Sequence, residues 1–422
     1  MNARIRAQLT QTVLRGAFAS PRPMQRLLAG RPLRRDGRQL AVEAQLLLRL
    51  LRASGADELW TGDVAGSRAA LEESARMLDL RPQPVATTAV TIPGPAGEIP
   101  ASLYTPGELP PCSPLLVYYH GGGWVLGSLR TSASLCRYLA LTARVRVLSV
   151  SYRLAPEHPF PAAVHDARAA YDFAVQNARQ LGATSAAIAV GGDSAGANLA
   201  TVVATSNARR PAFALLLYPR VDLTARRRSR DLFSSGYLLT DRSMAELERR
   251  YLHPRHAADL RASVLLNRDL SDFPPTYLST AGFDPLRDEG NEFAAKLIAA
   301  GVPVMHREHE DLIHGYATLF RSAAASARPP SKPLRPWAPA WTPWLGARAP
   351  PVPSTPGRGR PRCQTWTSVV ESETPDTPRV GRRPVGHPAC VFLFFSSRLG
   401  CLGSLVLSVL LTLLLLWIFR VI

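Results

Sequence analysis

A serine between two glycines is the residue of this sequence whose surroundings best suit covalent chemistry. Ser194 is the central residue of Gly-Asp-Ser-Ala-Gly at 192–196, after an apolar run at 186–190 and before a small-residue stretch at 197–203. The pattern predicts a strand, a sharp turn and a helix, with the serine at the apex of the turn. Glycines suit a turn so tight that a Cβ would clash. Ser194 is therefore the candidate nucleophile.

A second glycine-rich segment lies upstream of this serine. The apolar residues 115–119 predict a buried strand, and they lead directly into His-Gly-Gly-Gly at 120–123. Consecutive glycines after a strand let backbone N–H groups face a bound atom without obstruction by side chains. Two of these N–H groups, together with that of Ala195, can hold the oxyanion of an acyl-transfer intermediate. A flexible glycine loop is the alternative interpretation.

A nucleophilic serine needs a base, and the base needs an acid that orients it. Of the nine histidines, His314 is the best candidate, because it follows a short predicted strand and precedes a glycine. The best candidate acid is Asp284, which follows the predicted strand 276–280. The chain therefore presents the three groups in the order Ser194, Asp284, His314.

Other residues near these candidates are alternatives. His306 and His309 lie on or beside the short strand, which would aim them elsewhere, and their spacing suggests a metal site only weakly. Asp288 and Asp311 are alternative acids, but Asp288 is expected one helical turn beyond Asp284, as a structural hydrogen-bond partner. The five cysteines show no metal spacing. We expect no metal and no cofactor.

Strands and helices alternate from about residue 85 to 325. This alternation predicts an α/β fold with a mostly parallel sheet and helices on both faces. Ligands bind beyond the carboxyl ends of the strands in such sheets, which is where the three candidates fall. Strands are predicted at 85–92, 99–104, 115–119, 145–150, 186–191, 213–217, 276–280 and 303–308.

Taken together, these segments resemble the hormone-sensitive lipase family of α/β-hydrolase esterases, in particular its bacterial branch. The resemblance spans residues ~115–316 and also touches ~30–80; it implies an α/β-hydrolase fold with a helical cap, and hydrolysis of carboxylic esters of short or medium acyl chains. The matching stretches are 120–124, 151–162, 192–196, 218–219, 282–289 and 312–315.

The resemblance also implies roles for individual residues. Ser194 resembles the nucleophile of the family, Asp284 its acid and His314 its base. The oxyanion donors of the family are matched in this chain by Gly121, Gly122 and Ala195, which resemble them. His120 resembles a structural member of its motif that does not act as a base, and Gly123 and Asp193 support the two motifs.

The domain organisation follows from composition and from the resemblance. We expect an N-terminal helical cap over 1–80 and a catalytic domain over 81–325, with a cap insertion at about 222–256. A Pro/Arg-rich disordered linker is expected over 326–390 and a transmembrane tail over 391–422.

The tail prediction rests on the apolar, uncharged run Leu399–Phe419, which is long enough to span a bilayer. Arginines at 379, 382 and 383 place the linker on the cytoplasmic side, and Arg4, Arg6 and Arg15 interrupt any secretory signal. We therefore expect a cytoplasmic catalytic domain that is tail-anchored in the inner membrane. The alternative is an aberrant end, such as a shifted reading frame.

The charge of the chain bears on which classes of partner it can bind. The chain carries 50 Lys+Arg against 32 Asp+Glu, a net charge of +18. The arginines are scattered without interleaved aromatic residues, so we expect no nucleic acid as partner. The resemblance implies a small-molecule ester as partner. The densest run, 226–230, is predicted to be a solvated loop, with contact to an anionic surface as the alternative.

Two functions of other classes remain as alternatives. One is a non-catalytic ligand-binding homologue, as in the plant gibberellin receptors, which resemble this family but lack the catalytic histidine. His314 is present in this chain and counts against that alternative. The other is a membrane-tethered interaction protein with a defective hydrolase domain.

Overall fold

A mixed sheet carries the residues of interest. The computed structural model describes residues 16–78, 84–107, 109–110, 112–206 and 208–319. The strands are β1 Arg34–Arg35, β2 Arg38–Gln39, β3 Ala86–Gly94, β4 Gly97–Thr105, β5 Ser113–Tyr119, β6 Arg146–Val150, β7 Ala183–Asp193, β8 Ala214–Leu217, β9 Thr276–Phe283 and β10 Val304–Ile313.

Nine α-helices of the described residues have defined bounds. They are α1 Arg22–Ala29, α2 Val42–Ser54, α3 Val64–Leu78, α4 Leu129–Ala143, α5 Ala162–Gln176, α6 Ala195–Ser206, α7 Arg228–Leu232, α8 Asp241–Tyr251 and α9 Arg287–Ala299. Residues 16–19 and 316–319 are also helical. Short 3-10 turns lie at Pro254–His256 and Val264–Leu266.

The eight strands of the main sheet follow the order β10-β9-β8-β7-β5-β6-β4-β3. The pairs β3–β4 and β4–β6 are antiparallel, and the other five pairs are parallel. Parallel neighbours need crossover connections; these contain helices α4, α5, α6 and α9 and, between β8 and β9, helices α7 and α8. The predicted fold class, a mostly parallel sheet with helices, is confirmed.

Two apolar cores lie on opposite faces of this sheet. Alternate residues of β5 belong to different cores: Leu115 and Val117 pack with one, and Leu116 and Tyr118 pack with the other. This is the period of two that a strand covered on both faces requires. Helices α5, α6 and α9 pack on the first face, and α2 and α4 pack on the second.

The structure corrects two details of the sequence analysis. Strand β10 runs on to Ile313, well beyond the predicted end at 308, because β9 continues beside it to Phe283. The arginine run 226–230 is only in part the solvated loop that was predicted: Arg226 and Arg228 are exposed, but the run enters the short helix α7 and its four arginines form ion pairs. The pairs are Arg226–Asp231, Arg226–Asp241, Arg227–Asp222, Arg227–Glu292, Arg228–Asp36, Arg230–Asp241 and Arg230–Glu248.

Several predictions concern residues outside those that the structure describes. They are the first 15 residues of the N-terminal cap, the linker 326–390 and the tail 391–422 with its apolar run at 399–419. Within the described residues, none of the helices has both the length and the apolar character that a membrane crossing needs.

Candidate active site

The turn between β7 and α6 exposes Ser194. Its φ of 54° lies in the left-handed region, which is uncommon for a residue with a side chain. A Cβ on Gly192 would fall on the backbone of Gly196, and one on Gly196 would fall on the carbonyl of Tyr119. The glycines are therefore required by close backbone approach, as the sequence pattern predicts. The Ser194 N–H donates to the carbonyl of Leu217 at 2.9 Å, which fixes the turn against β8.

The ends of β9 and β10 bring Asp284 and His314 to this serine. The Nε2 atom of His314 lies 3.0 Å from Ser194 Oγ, and its Nδ1 atom lies 2.7 Å from Asp284 Oδ2. Asp284 is fully buried, and its other oxygen accepts the N–H of Leu286 at 2.8 Å. The three side chains thus form one hydrogen-bonded chain, in which a buried carboxylate orients the imidazole towards the hydroxyl.

The alternative acids and histidines make other contacts. Asp288 accepts the N–H of Ser229 at 2.7 Å and the Nε–H of Arg287 at 2.8 Å. His306 and His309 lie within β10, and the ring of His309 contacts that of Tyr316 in a tilted arrangement, with 4.7 Å between ring centroids. Asp311 also belongs to β10, where its carbonyl accepts the N–H of Ala41. The structure gives none of these four residues a hydrogen bond to Ser194 or His314.

The loop after β5 approaches the serine from the other side. Gly122 and Gly123 have φ values of 120° and 61°, and Trp124 follows with 59°. Such a sequence of positive φ values needs glycine at the first two positions, where a Cβ would also meet Leu126 or Leu247. The indole of Trp124 stacks on Tyr251 of α8 with 4.3 Å between ring centroids, which anchors the loop.

One of the expected oxyanion donors has another partner. The N–H of Gly121 donates to Asp193 Oδ1 at 2.9 Å, so it does not point freely towards a ligand. This differs from the expectation for Gly121, because the carboxylate of Asp193 turns towards the glycine loop. The N–H groups of Gly122, Gly123 and Ala195 have no acceptor among the described residues. Gly122, Gly123 and Ala195 also line the cavity above Ser194.

Asp193 ties the two loops together. Its Oδ1 atom accepts the hydroxyl of Tyr118 at 2.6 Å as well as the N–H of Gly121. Burial raises the pKa of Asp193, although the two hydrogen bonds that it accepts oppose the rise. From the sequence, Asp193 is expected only to support its motif, and this bridging contact is a finding of the structure.

His120 is buried and held away from the serine. Its Nδ1 atom lies 2.8 Å from the carbonyl of Gly121, and its ring stacks on Tyr152 at 4.4 Å. Burial lowers the pKa of His120 to about 4, so the ring is neutral at physiological pH. A neutral ring in this position fits a structural role and not that of the base.

A cavity of about 120 Å³ opens over Ser194 and His314. Its walls are mostly apolar and come from the N-terminal region, from the segment 222–256 and from the helical turn after His314. The apolar lining residues are Leu59, Leu71, Leu238, Leu239, Met244, Leu247, Leu286 and Leu319.

The cavity also contains an ion pair that the sequence analysis missed. Arg220 and Glu248 both line it, and they lie 2.7 Å apart. Arg220 pairs in addition with Glu289 and is almost fully buried. Its backbone N–H donates to the carbonyl of Ser194 at 3.3 Å, which joins this buried group to the serine turn. In the sequence, the one feature that could have pointed to Arg220 as a cavity residue is its position directly after Tyr-Pro at 218–219.

Comparison with known proteins shows which family has sequences similar to this chain. A family described by the alpha/beta hydrolase fold matches residues 116–318. The carboxylic ester hydrolase LipN of Mycobacterium tuberculosis is 45% identical over 320 residues, which cover 73% of this chain and 85% of LipN. Esterase LipI of the same organism is 40% identical over 57% of this chain and 79% of its own.

Solved structures agree with these relatives. The ester-hydrolase EH1AB1, from the metagenome of Lake Arreo, superimposes with a TM-score of 0.65 at 39% identity. The superposition covers 68% of this chain and 96% of that enzyme. A hyperthermophilic esterase from the archaeon Pyrobaculum calidifontis gives a TM-score of 0.63 at 38% identity, over 65% of this chain and 91% of its own.

Proposed function

We propose that Ser194, His314 and Asp284 carry out ester hydrolysis in this chain. The premise is that the chain belongs to the α/β-hydrolase family and is a carboxylesterase-type hydrolase of its hormone-sensitive-lipase-like branch. Ser194 Oγ attacks the carbonyl carbon of the ester while His314 Nε2 takes its proton. The tetrahedral intermediate collapses when the imidazolium gives that proton to the leaving alcohol. Water then hydrolyses the acyl-enzyme by the same steps in reverse.

The hydrogen-bonded chain from Asp284 through His314 to Ser194 is the observation that supports this proposal most strongly. The distances of 2.7 Å and 3.0 Å let one proton move from the hydroxyl to the imidazole without rearrangement. The buried carboxylate holds the imidazole in the tautomer that has a proton on Nδ1, and it stabilises the imidazolium when it forms.

We assign the oxyanion to the N–H groups of Gly122, Gly123 and Ala195. Gly122 and Ala195 follow the expectation from the sequence, and Gly123 takes the place of Gly121, whose N–H donates to Asp193. Donors of this kind act on charge that develops in the transition state, and removal of one typically lowers kcat by about 10²–10³-fold. Asp193 fixes the position of this loop through its hydrogen bond to the Gly121 N–H.

The substrate class that we propose is esters of short or medium acyl chains. The apolar walls of the cavity support this, because they can desolvate the methylene groups of an acyl chain next to Ser194. The test is turnover of p-nitrophenyl acetate, butyrate, octanoate and palmitate by the full chain, with Ser194→Ala as control. We expect kcat/KM for palmitate to be at least about tenfold below the best of the other three.

Other outcomes of this assay are informative. Preference for palmitate would contradict the proposed chain length while leaving ester hydrolysis intact. A folded chain that hydrolyses none of the four esters would instead support the non-catalytic ligand-binding alternative.

Membrane anchoring through the apolar segment 399–419 stays a prediction from composition. The cytoplasmic location of the catalytic domain is likewise a prediction. We expect the full chain to remain with membranes after carbonate extraction, and protease added to inverted membrane vesicles to digest the catalytic domain. Recovery of the full-length chain in the soluble fraction would contradict the anchor.

A further inference from the structure

Helix α1 turns an apolar side chain directly towards solvent. Leu27 is 74% exposed, the largest value among the bulky apolar side chains of the described residues, and Met24 is 48% exposed. On the opposite side of the helix, Gln25 and Ala29 are buried. At 3.6 residues per turn, Leu27 lies opposite the midpoint of these two residues. The helix therefore presents a leucine at the centre of its outer face.

This face is held in place by buried side-chain amides. The amide nitrogen of Gln25 donates to the carbonyl of Phe18 at 2.8 Å. The amide of Gln45, on α2, donates to the carbonyl of Ala29 at 2.7 Å and accepts the N–H of Leu33 at 2.9 Å. Because both ends of α1 are tied to the protein body, the exposure of Leu27 is a property of the folded structure.

Four exposed arginines lie on the same helix as Leu27 or in the segment that follows it. Arg26, Arg31, Arg34 and Arg35 are all exposed, and none forms an ion pair with another described residue. The two acidic residues nearby already have partners. Glu43 pairs with Arg22 at 2.9 Å, and Asp36 pairs with Arg228 and Arg287 at 2.8 Å each. Helix α1 and the β1–β2 hairpin that follows it therefore present a surface that combines two exposed apolar side chains with four exposed arginines, none of them in an ion pair with another described residue.

We propose that this surface, formed by Met24, Arg26, Leu27, Arg31, Arg34 and Arg35, docks on an anionic lipid membrane. Leucine and methionine enter the boundary between headgroups and acyl chains, and arginines bind the phosphates of the headgroups. A nucleic acid fits less well, because Leu27 and Met24 would gain no apolar environment on a phosphate backbone. Docking would place the enzyme where poorly soluble esters accumulate, without a change in its chemistry.

The test measures binding of the full chain to vesicles by flotation. Vesicles of phosphatidylcholine alone are compared with vesicles that also contain phosphatidylglycerol, at low and at raised salt. The variants are Leu27→Glu and the double variant Arg34→Glu/Arg35→Glu. The matched control is Ile298→Glu, because Ile298 is 54% exposed on α9 and lies outside the proposed surface. The apolar segment 399–419 is the same in all of them.

Because an anchor at 399–419 would bind all vesicles alike, the quantity compared is the gain in binding that phosphatidylglycerol produces, and we expect this gain to be about tenfold or more smaller in the two test variants than in the parent chain. Ile298→Glu is expected to bind like the parent chain, and raised salt to weaken the binding of both. Turnover of p-nitrophenyl acetate in solution should be equal in all four chains, which verifies that they are folded and separates this test from that of the proposed function.

A local measurement removes any contribution from the rest of the chain. A photo-crosslinking p-benzoylphenylalanine in place of Leu27 should capture lipid in anionic vesicles, and the same replacement of Ile298 should not. A gain from phosphatidylglycerol that is equal in Leu27→Glu and Ile298→Glu would overturn the proposal, as would equal lipid capture at position 27 in vesicles with and without phosphatidylglycerol. Salt-sensitive binding of a DNA duplex that Leu27→Glu leaves unchanged would also overturn it, in favour of a nucleic-acid surface.

Discussion

Two buried histidines follow strands of the same sheet, and the structure uses them differently. His314, after β10, has both ring nitrogens in hydrogen bonds, one to Asp284 and one to Ser194. His120, after β5, lies against the carbonyl of Gly121 and the ring of Tyr152, and its Nε2 atom has no partner among the described residues. Burial does not make a histidine a base: it needs a carboxylate on one side and a proton donor on the other.

Two buried aspartates repeat this contrast. Asp284 accepts from the imidazole of His314 and from the N–H of Leu286. Asp193 stands next to the nucleophile, yet it accepts from Tyr118 and from the glycine loop. In the mechanism that we propose, one carboxylate orients the base and the other holds the oxyanion loop to the serine turn. Matched substitutions at the two sites separate these roles.

Substitution of the two histidines, His314 and His120, gives the largest expected difference in kcat. His314→Ala should lower kcat by at least about 10⁴-fold with the fold intact, because the proton of Ser194 loses its acceptor. His120→Ala should act mainly on stability, lowering the free energy of unfolding by about 1–3 kcal/mol through loss of buried packing. Ester kinetics and thermal unfolding measure the two effects. An equal loss of kcat in both variants, with equal unfolding temperatures, would contradict the assignment of the base.

The comparison of Asp284 with its neighbour Asp288 gives the next largest expected difference in kcat. Asp284→Asn should keep the fold and lower kcat by about 10⁴-fold, because the amide favours the wrong tautomer of the imidazole. Asp288→Asn is the control in the same segment, since Asp288 contacts Ser229 and Arg287 instead. Its kcat should stay within about tenfold of the parent chain. If Asp288→Asn were the more damaging of the two, the acid would be wrongly assigned.

Asp193→Asn should show a smaller, indirect effect. We expect a loss in kcat of about 10–100-fold with little change in KM, because a loosened glycine loop weakens the oxyanion donors only in part. Tyr118→Phe removes the other hydrogen bond to the same carboxylate oxygen and should produce a milder loss of the same kind. A change confined to KM in both variants would show that Asp193 acts on substrate binding instead.

The smallest predicted effect is a loss of stability in acid. Burial lowers the pKa of His120 and of His309 to about 4 in the folded chain, against an ordinary value of 6.5. The unfolded chain therefore binds more protons between these values, so the free energy of unfolding falls as pH drops from about 6.5 to 4. His309→Gln should reduce this loss by about 1–3 kcal/mol, as thermal unfolding across this pH range can measure. An unchanged loss would show that His309 keeps its ordinary pKa in the fold.

The elements around the site were predictable because each depends on a local pattern. The strand, turn and helix around Ser194 follow from an apolar run, two glycines and a run of small residues. The positions of Asp284 and His314 follow from where β9 and β10 end. Local patterns of this kind report on the backbone of neighbouring residues, which is why the fold class was predictable.

The contacts that the sequence did not reveal join distant segments. The hydrogen bond from Gly121 to Asp193 spans 72 residues, and the one from Arg228 to Asp36 spans 192. A run of arginines looks the same whether its charges face water or carboxylates. Only the folded structure distinguishes the paired run 226–230 from the unpaired arginines at 26, 31, 34 and 35.

Covalent labelling of Ser194 tests the central claim most directly. The full chain and Ser194→Ala are treated with a labelled fluorophosphonate, digested and analysed by mass spectrometry, and p-nitrophenyl butyrate turnover is measured in parallel. We expect one adduct, on Ser194, that abolishes turnover, and neither adduct nor turnover in a folded Ser194→Ala chain. Turnover by Ser194→Ala within about tenfold of the parent chain, or an inactivating adduct on another serine, would contradict that claim.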